Sequence, residues 1–193
     1  MIDAPDLPAR IRARDRAALE AVVRTYLGQI VRAARGAGFT GPQADEVAQE
    51  TFTTFLETAP RFEGRSHVRT WLFGILYRKI AEARRALGRE RMTDDIDAVM
   101  EDRFDDRGRW RQPPRPADDL VYAREVREGL EACLEEAPLP QRMAFVLREV
   151  EGLATPEICK ILDVTSTNLG VMFYRVRNRL RTCLEARGIT RKA

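Results

Sequence analysis

The stretch from Thr155 to Leu184, TPEICKILDVTSTNLGVMFYRVRNRLRTCL, leaves a chain few ways to fold. Apolar residues recur at helical spacing on both sides of a short polar break. Thr155 can cap a first helix, Pro156 suits the first helical position, and Glu157 complements the positive helix end. Ile158, Ile161 and Leu162 make one apolar face. Asp163-Val164-Thr165 reads as the turn, with Thr165 or Ser166 capping the next helix. That second helix carries Leu169, Met172, Phe173, Val176, Leu180 and Leu184 on one stripe. Its other faces carry Asn168, Tyr174, Arg175, Arg177, Asn178, Arg179 and Arg181. An apolar inner stripe with an outer surface of Arg, Asn and Tyr suits a helix lying in a DNA major groove, because Arg and Asn present forked donors to base edges and phosphates. The competing reading is a solvated basic face on an ordinary helical hairpin.

The rest of the chain reads as helices too, and no run has a strand period. Asp15 to Ala37 is expected as a helix, with Leu19, Val22, Val23, Tyr26, Leu27, Ile30 and Val31 on its apolar side. Pro42 to Ala59 is a second, with Val47, Ala48, Phe52, Phe55 and Leu56 inward, stopped by Pro60. Arg61 to His67 is a loop, and Val68 to Leu87 a third helix with the stripe Leu72, Leu76, Ile80, Ala83 and Leu87. Residues 1 to 10, with Pro5 and Pro8, read as a loose leader. Met92 to Asp119 changes character: nine acids, five arginines and three prolines without sustained periodicity read as a flexible acidic linker, with at most one helical turn at Asp97 to Phe104. Helices at Val121 to Glu136 and Gln141 to Gly152 then lead into the hairpin, with Val126, Leu130, Leu134, Met143, Val146, Leu147 and Val150 inward. The expected fold class is therefore all-α: two small helical domains, 1–91 and 120–193, joined by the linker 92–119 and predicted to fold separately.

Charge is distributed more tellingly than its net of +3. Eight basic residues lie between Arg65 and Arg91 against Glu82 and Glu90, and seven between Ser166 and Ala193 against Glu185. Gln43 to Glu57 holds Asp45, Glu46, Glu50 and Glu57 and no base. Two basic surfaces and one acidic patch imply polyanion contact at two places and a different partner at the third. The segment RFEGRSHVRTWLFGILYRKIAEARR interleaves Phe62, Trp71, Phe73 and Tyr77 with arginines, the combination that stacks unpaired bases and holds their phosphates. Packing of Trp71 and Phe73 against neighbouring helices competes with that reading.

Other chemistry finds little support. No nucleophile, base and orienting group form a set, and no Gly-rich phosphate loop is present, so no catalytic residue, metal ligand or cofactor is expected. His67, the single histidine, lies in the basic loop, where it is solvated or faces nucleic acid. Cys133, Cys159 and Cys183 show no metal or redox spacing. Their odd number argues against a disulfide framework, and Cys159 and Cys183 are expected as small apolar residues in a reducing cytosol. The first residues, with Asp3 and Asp6, do not read as a signal peptide, and no stretch approaches membrane-span length.

Three blocks in order then carry a resemblance over nearly the whole chain. QADEVAQETF resembles region 2.2 of the extracytoplasmic-function sigma factors, RFEGRSHVRTWL resembles regions 2.3 and 2.4, and LPQRMAFVLREVEGLATPEICKILDV resembles region 4.1 and the start of 4.2. The resemblance implies a promoter-specificity subunit, cytoplasmic and monomeric when free, whose partners are core RNA polymerase, promoter DNA and a cognate anti-sigma factor held between the domains. It places Asp45, Glu46, Gln49 and Glu50 on the clamp helices of the beta-prime subunit. It places Phe62, Arg65, Ser66, His67, Arg69, Trp71 and Arg78 at the −10 element. Region 4 would sit on the beta-subunit flap, with Thr167, Asn168, Val171, Tyr174, Arg175 and Arg179 on −35 DNA. Relatives commonly carry Asn where this chain has Arg78, and Gly-Thr-Val-Lys-Ser-Arg where it has Thr167 to Met172, so the base preferences are its own. An autonomous, dimeric helix-turn-helix regulator is the alternative.

Overall fold

The computed structural model describes residues 2, 4–88 and 120–189. Four helices build the N-terminal half: α1 (Leu7–Arg12), α2 (Arg16–Gly36), α3 (Gly41–Thr58) and α4 (Val68–Ala86), with a 3-10 turn at Ala59–Arg61. Four build the C-terminal half: α5 (Leu120–Glu135), α6 (Leu139–Phe145), α7 (Thr155–Leu162) and α8 (Ser166–Ala186), with a π-helical turn at Val146–Val150 after α6. The described residues hold no strand. The linker 92–119, with its expected turn at Asp97 to Phe104, lies outside them.

Local chemistry sets the helix starts. The Asp15 carboxylate accepts from the Ala18 amide at the head of α2 and from Arg10 at 2.9 Å, which holds the turn where Arg14 adopts φ 56°. The Arg10 hydrogen bond, then the Ala18 amide, keep the Asp15 carboxyl below its ordinary range. Gln43 reaches back to the Thr40 amide at the head of α3, and His67 Nδ1 accepts from the Arg69 amide at the head of α4. The N-cap of α7 is Ala154, not Thr155; the Glu157 carboxylate satisfies its amide at 3.0 Å, and Pro156 falls in the first turn. Asp163, at φ 54°, turns the chain out of α7, and Thr165 caps α8 by accepting from the Asn168 amide.

Burial follows the expected stripes with two departures. Val22, Ile30, Phe55, Leu72, Leu76 and Ile80 of the N-terminal half and Met143, Leu147, Ile158, Leu169 and Val176 of the C-terminal half are buried in one continuous core. Leu27, Leu56, Leu87 and Val150, all expected inward, stay exposed. At Val150 the cause is the π turn, which adds a residue to the helical repeat and so rotates Val150 outward while Glu151 goes in. The second departure is α1. The leader is not loose at this point: Leu7 and Ile11 are buried, and Pro8 packs so close to Gly64 that a Cβ there would lie 2.9 Å from it. Gly64 has φ +72°, which favours glycine independently. α1 therefore braces the loop between α3 and α4.

The two halves also touch. α4 packs on α7, and α2 meets α6 and the π turn. The buried apolar residues of the two halves join in one cluster, and polar bonds such as Arg32 to Glu151 cross the same contact.

Candidate nucleic-acid and polymerase interfaces

On α3, Asp45, Glu46, Gln49 and Glu50 are all exposed, while Val47, Ala48, Phe52 and Phe55 are buried behind them. The helical period thus separates an acidic outer face from a packed inner one. Beside it a groove runs between α3 and α4, lined by Phe39, Glu46, Val47, Glu50, Lys79 and Leu87. Such a surface suits a basic, partly apolar partner.

The loop at residues 62–67 is built differently from expectation. Phe62 is only 5% exposed and stacks on Trp71, with centroids 4.7 Å apart; Trp71 meets Phe55 edge-on at 5.4 Å. Phe62 is thus the inner support of the loop and presents no open face for a base. The reason is burial: the 3-10 turn after α3 directs the ring beneath the loop, onto Trp71 of the next helix. Phe73 is fully buried in the core. Arg65, His67 and Arg78 are exposed, Ser66 is half-buried, and Arg65 pairs with Glu63. Arg69 is half-buried and turned away from the loop: it donates to Gln29 Oε1 at 3.1 Å and to the Glu151 carbonyl of the C-terminal half.

α8 separates its faces cleanly over its first half. Leu169, Phe173 and Val176 are buried; Thr167, Asn168, Val171 and Tyr174 are exposed, and Arg175 is half-exposed beside them. The sites Thr167, Asn168, Val171, Tyr174 and Arg175 share one side of the helix, with the capped N-terminus leading. Further along, the expected outer face breaks up. Asn178 is buried and donates to the Tyr174 carbonyl at 2.8 Å. Arg179 turns back to donate to the Glu136 carbonyl of α5 at 3.3 Å, Arg177 pairs with Glu149, and Arg181 with Glu185. Arg148 covers the Phe173 ring at 4.5 Å.

The cysteines correct the sequence reading. Cys133 and Cys183 are joined by a disulfide, Cα to Cα 5.8 Å, which ties α5 to the far half of α8. Their separation of 50 residues hid the pair, since only the antiparallel packing of α5 on α8 brings them together. Cys159 alone remains a thiol, half-buried. Among the described residues no group of His, Cys, Asp and Glu could hold a metal ion, and no helix is long and apolar enough to cross a membrane.

Two further residues were missed by sequence reasoning. Glu151 is buried to 1% at its side chain and accepts two bonds from Arg32 of α2, each 3.2 Å. Arg142, 3% exposed, donates to the Gly36 carbonyl at the end of α2, where Arg84 also caps Ala37. Burial first, and Arg84 second, push the Arg142 guanidinium down to about 10.

Comparison with known proteins settles what this pair of helical bundles is. The sigma-70 region 2 family model matches residues 22–90, and the sigma-70 region 4 model matches residues 127–180. A probable RNA polymerase sigma factor of Haemophilus influenzae is 31% identical over 148 residues, 73% of this chain and 76% of that protein. The chain belongs to the extracytoplasmic-function sigma-70 family. The ECF RNA polymerase sigma-E factor of Escherichia coli K12 is 30% identical over 132 residues, 68% of this chain and 69% of its own. Among solved structures, CnrH in complex with the cytosolic domain of CnrY matches with TM-score 0.67 and 22% identity, over 93% of this chain and 96% of that one. The sigma factor RpoE of Bartonella quintana, solved with the anti-sigma factor NepR, matches with TM-score 0.62 and 22% identity, over 86% and 96%. These two likenesses concern the fold. As a sigma-70 member the chain is a sigma subunit and not an enzyme, and the autonomous regulator is not favoured. The N-terminal half is sigma region 2 and the C-terminal half region 4.

Proposed function

We propose that this sigma subunit docks core RNA polymerase through Asp45, Glu46, Gln49 and Glu50, engages the −10 non-template strand through the loop ending at His67 together with Arg65, Ser66, Arg69 and Arg78, and reads the −35 element with α8. Trp71 serves the −10 site from beneath, with Phe62 stacked on it. The observation that carries the reading is the division of α8, where Thr167, Asn168, Val171, Tyr174 and Arg175 share one accessible side over a buried apolar stripe. Base edges in the major groove are met by the N-terminal part of such a helix, and this is the part left open. Arg179, held on the Glu136 carbonyl, contributes at most a phosphate contact. The protein acts in the cytoplasm, as a monomer when free. Its partners include a cognate anti-sigma factor, since a sigma factor of the same fold, RpoE, has been solved with the anti-sigma factor NepR.

Transcription from a randomised promoter library, with core polymerase and this protein, tests the assignment. The result expected is selection of one −35 and one −10 motif by the reconstituted holoenzyme. Sequence-specific binding by the protein alone as a dimer, with no effect on core polymerase, would contradict it.

A further inference from the structure

α5 packs chiefly on α8, and the Cys133–Cys183 bond joins the last turn of one helix to the last turn of the other. Three further ties gather around it. Arg179 donates to the Glu136 carbonyl at 3.3 Å, and Arg187 pairs with the Glu136 carboxylate at 3.7 Å. Gly129 leaves the room that Ile189 fills, since a Cβ there would run into the Ile189 side chain. Arg179 and Arg187 stand one turn either side of Cys183 along the chain. The bond is thus the covalent member of a clamp that fixes the far half of α8 to α5. The reading side, Thr167 to Arg175, is the near half of the same helix.

The two sulfurs are unequal. Cys133 is fully buried, whereas Cys183 is half-buried. Thiol exchange takes place at the sulfur that the attacking thiolate can reach. A thiolate of a dithiol reductant therefore bonds to Cys183 Sγ, the Cys133–Cys183 bond breaks, and Cys133 leaves as a thiolate and takes up a proton. The second thiol of the reductant then displaces Cys183. Two electrons and two protons have passed to the pair, and the reductant ends as a disulfide. The reverse step needs a peroxide. Hydrogen peroxide takes the Cys183 thiol to a sulfenic acid with loss of one water, and the Cys133 thiol displaces the sulfenic oxygen with loss of a second.

We propose that Cys133 and Cys183 are a redox site in region 4, opened by a dithiol at Cys183 and closed by peroxide, and that the closed bond is the form in which α8 reads the −35 element tightly. Disulfides in a reducing cytosol are mostly transient and redox-sensing, so a bond placed there is one that changes state. With the bond open, α5 is held to α8 by packing and polar ties alone, and part of the ordering of α8 falls on DNA binding. The link to promoter reading rests on the −35 and cytoplasmic assignments made above; the exchange chemistry at Cys183 does not.

Two measurements test the two halves. For the site, the native protein is treated with a thioredoxin-type dithiol and then with hydrogen peroxide, and its thiols are counted by alkylation after each step. The bond should open and close again, and oxidised glutathione should modify Cys183 in Cys133→Ser faster than Cys133 in Cys183→Ser. A bond untouched by the dithiol, or one that peroxide does not restore, would overturn the redox site. Faster modification of Cys133 would overturn the attack at Cys183. For the coupling, wild-type sigma is oxidised or reduced, freed of reagent and combined with core polymerase. The oxidised holoenzyme should transcribe a promoter bearing the preferred −35 element on the order of fivefold more than the reduced one, the lower end of such couplings. With a scrambled −35 element the two should be equal. Cys133→Ser should sit at the reduced level under both treatments, while Cys159→Ser should keep the response. Wild-type protein in its two states carries the test by itself if a serine variant does not fold. Equal transcription from the preferred promoter in both states would overturn the coupling. Two holoenzymes that both ignore the −35 sequence would contradict the −35 assignment, and the coupling with it, and leave the redox site to stand on the thiol counts.

Discussion

Phe62 shows how a residue's type and its role can part. An aromatic among arginines suits a base-stacking platform, yet its ring is buried flat against Trp71. Alternating aromatic and basic residues are equally what a loop needs when it covers a small aromatic core, and only the fold separates the two. Phe62→Ala is therefore expected to cost about 3 kcal/mol of region 2 stability, as for other buried aromatic truncations. Urea unfolding measures this, and a cost under ~0.5 kcal/mol would show the ring to be a surface group. The conservative Phe62→Leu should keep promoter melting by permanganate footprinting, whereas His67→Ala should lose it. Equal loss in both would return the base-stacking role to Phe62. Asn178 makes the same point on α8. Its spacing from Tyr174 suggests an outer position, but the helix turns it inward onto the Tyr174 carbonyl.

At the scale of the element, helix positions were readable because caps and stoppers are local: Asp15, Pro60, His67, Asp163 and Thr165 each act within a few residues of the boundary they set. α1 escaped because its six residues carry only two buried apolar positions, too few for a period. The π turn escaped because nothing in VLREV distinguishes it from a regular helix, and the exposure of Val150 is its consequence. The α5–α8 disulfide escaped because pairing across 50 residues depends on tertiary contact. That bond closes a long loop in the unfolded chain, worth up to about 4 kcal/mol in the chain-entropy account. Region 4 should accordingly unfold at a lower temperature in phosphine reductant, or in Cys133→Ser, than in the oxidised protein. Thiol titration of unfolded protein should find one group before reduction and three after. Three thiols without reductant, and a melting midpoint indifferent to it, would remove the bond from the account.

For the whole molecule, family and division into two regions were legible because three blocks of sequence kept their order. The acidic face of α3 was legible as well, since charge at helical spacing reports exposure directly. The region 2 to region 4 contact was not, because it joins residues more than 80 positions apart, such as Arg69 and Glu151, that only the tertiary fold brings together. The α3 assignment predicts that Asp45→Lys with Glu50→Lys weakens association with core polymerase while shifting stability by under ~0.5 kcal/mol per site. Unchanged polymerase affinity in that double variant would place the docking surface elsewhere.

The central claim, that α8 gives this sigma subunit its promoter choice, is tested most directly by holoenzyme transcription on a set of single-base −35 variants at two salt concentrations. Arg175 stands in the half of α8 proposed to read the −35 element, and a bidentate arginine–guanine pair discriminates by ~1–3 kcal/mol. Arg187, beyond the end of α8 and paired with Glu136 at 3.7 Å, does not face the bases in this account. Arg175→Ala should lose activity on the preferred promoter and flatten preference at one −35 position. Arg187→Ala should weaken all promoters alike, if at all, and lower the salt slope by about one. An unchanged base preference in Arg175→Ala would contradict the account.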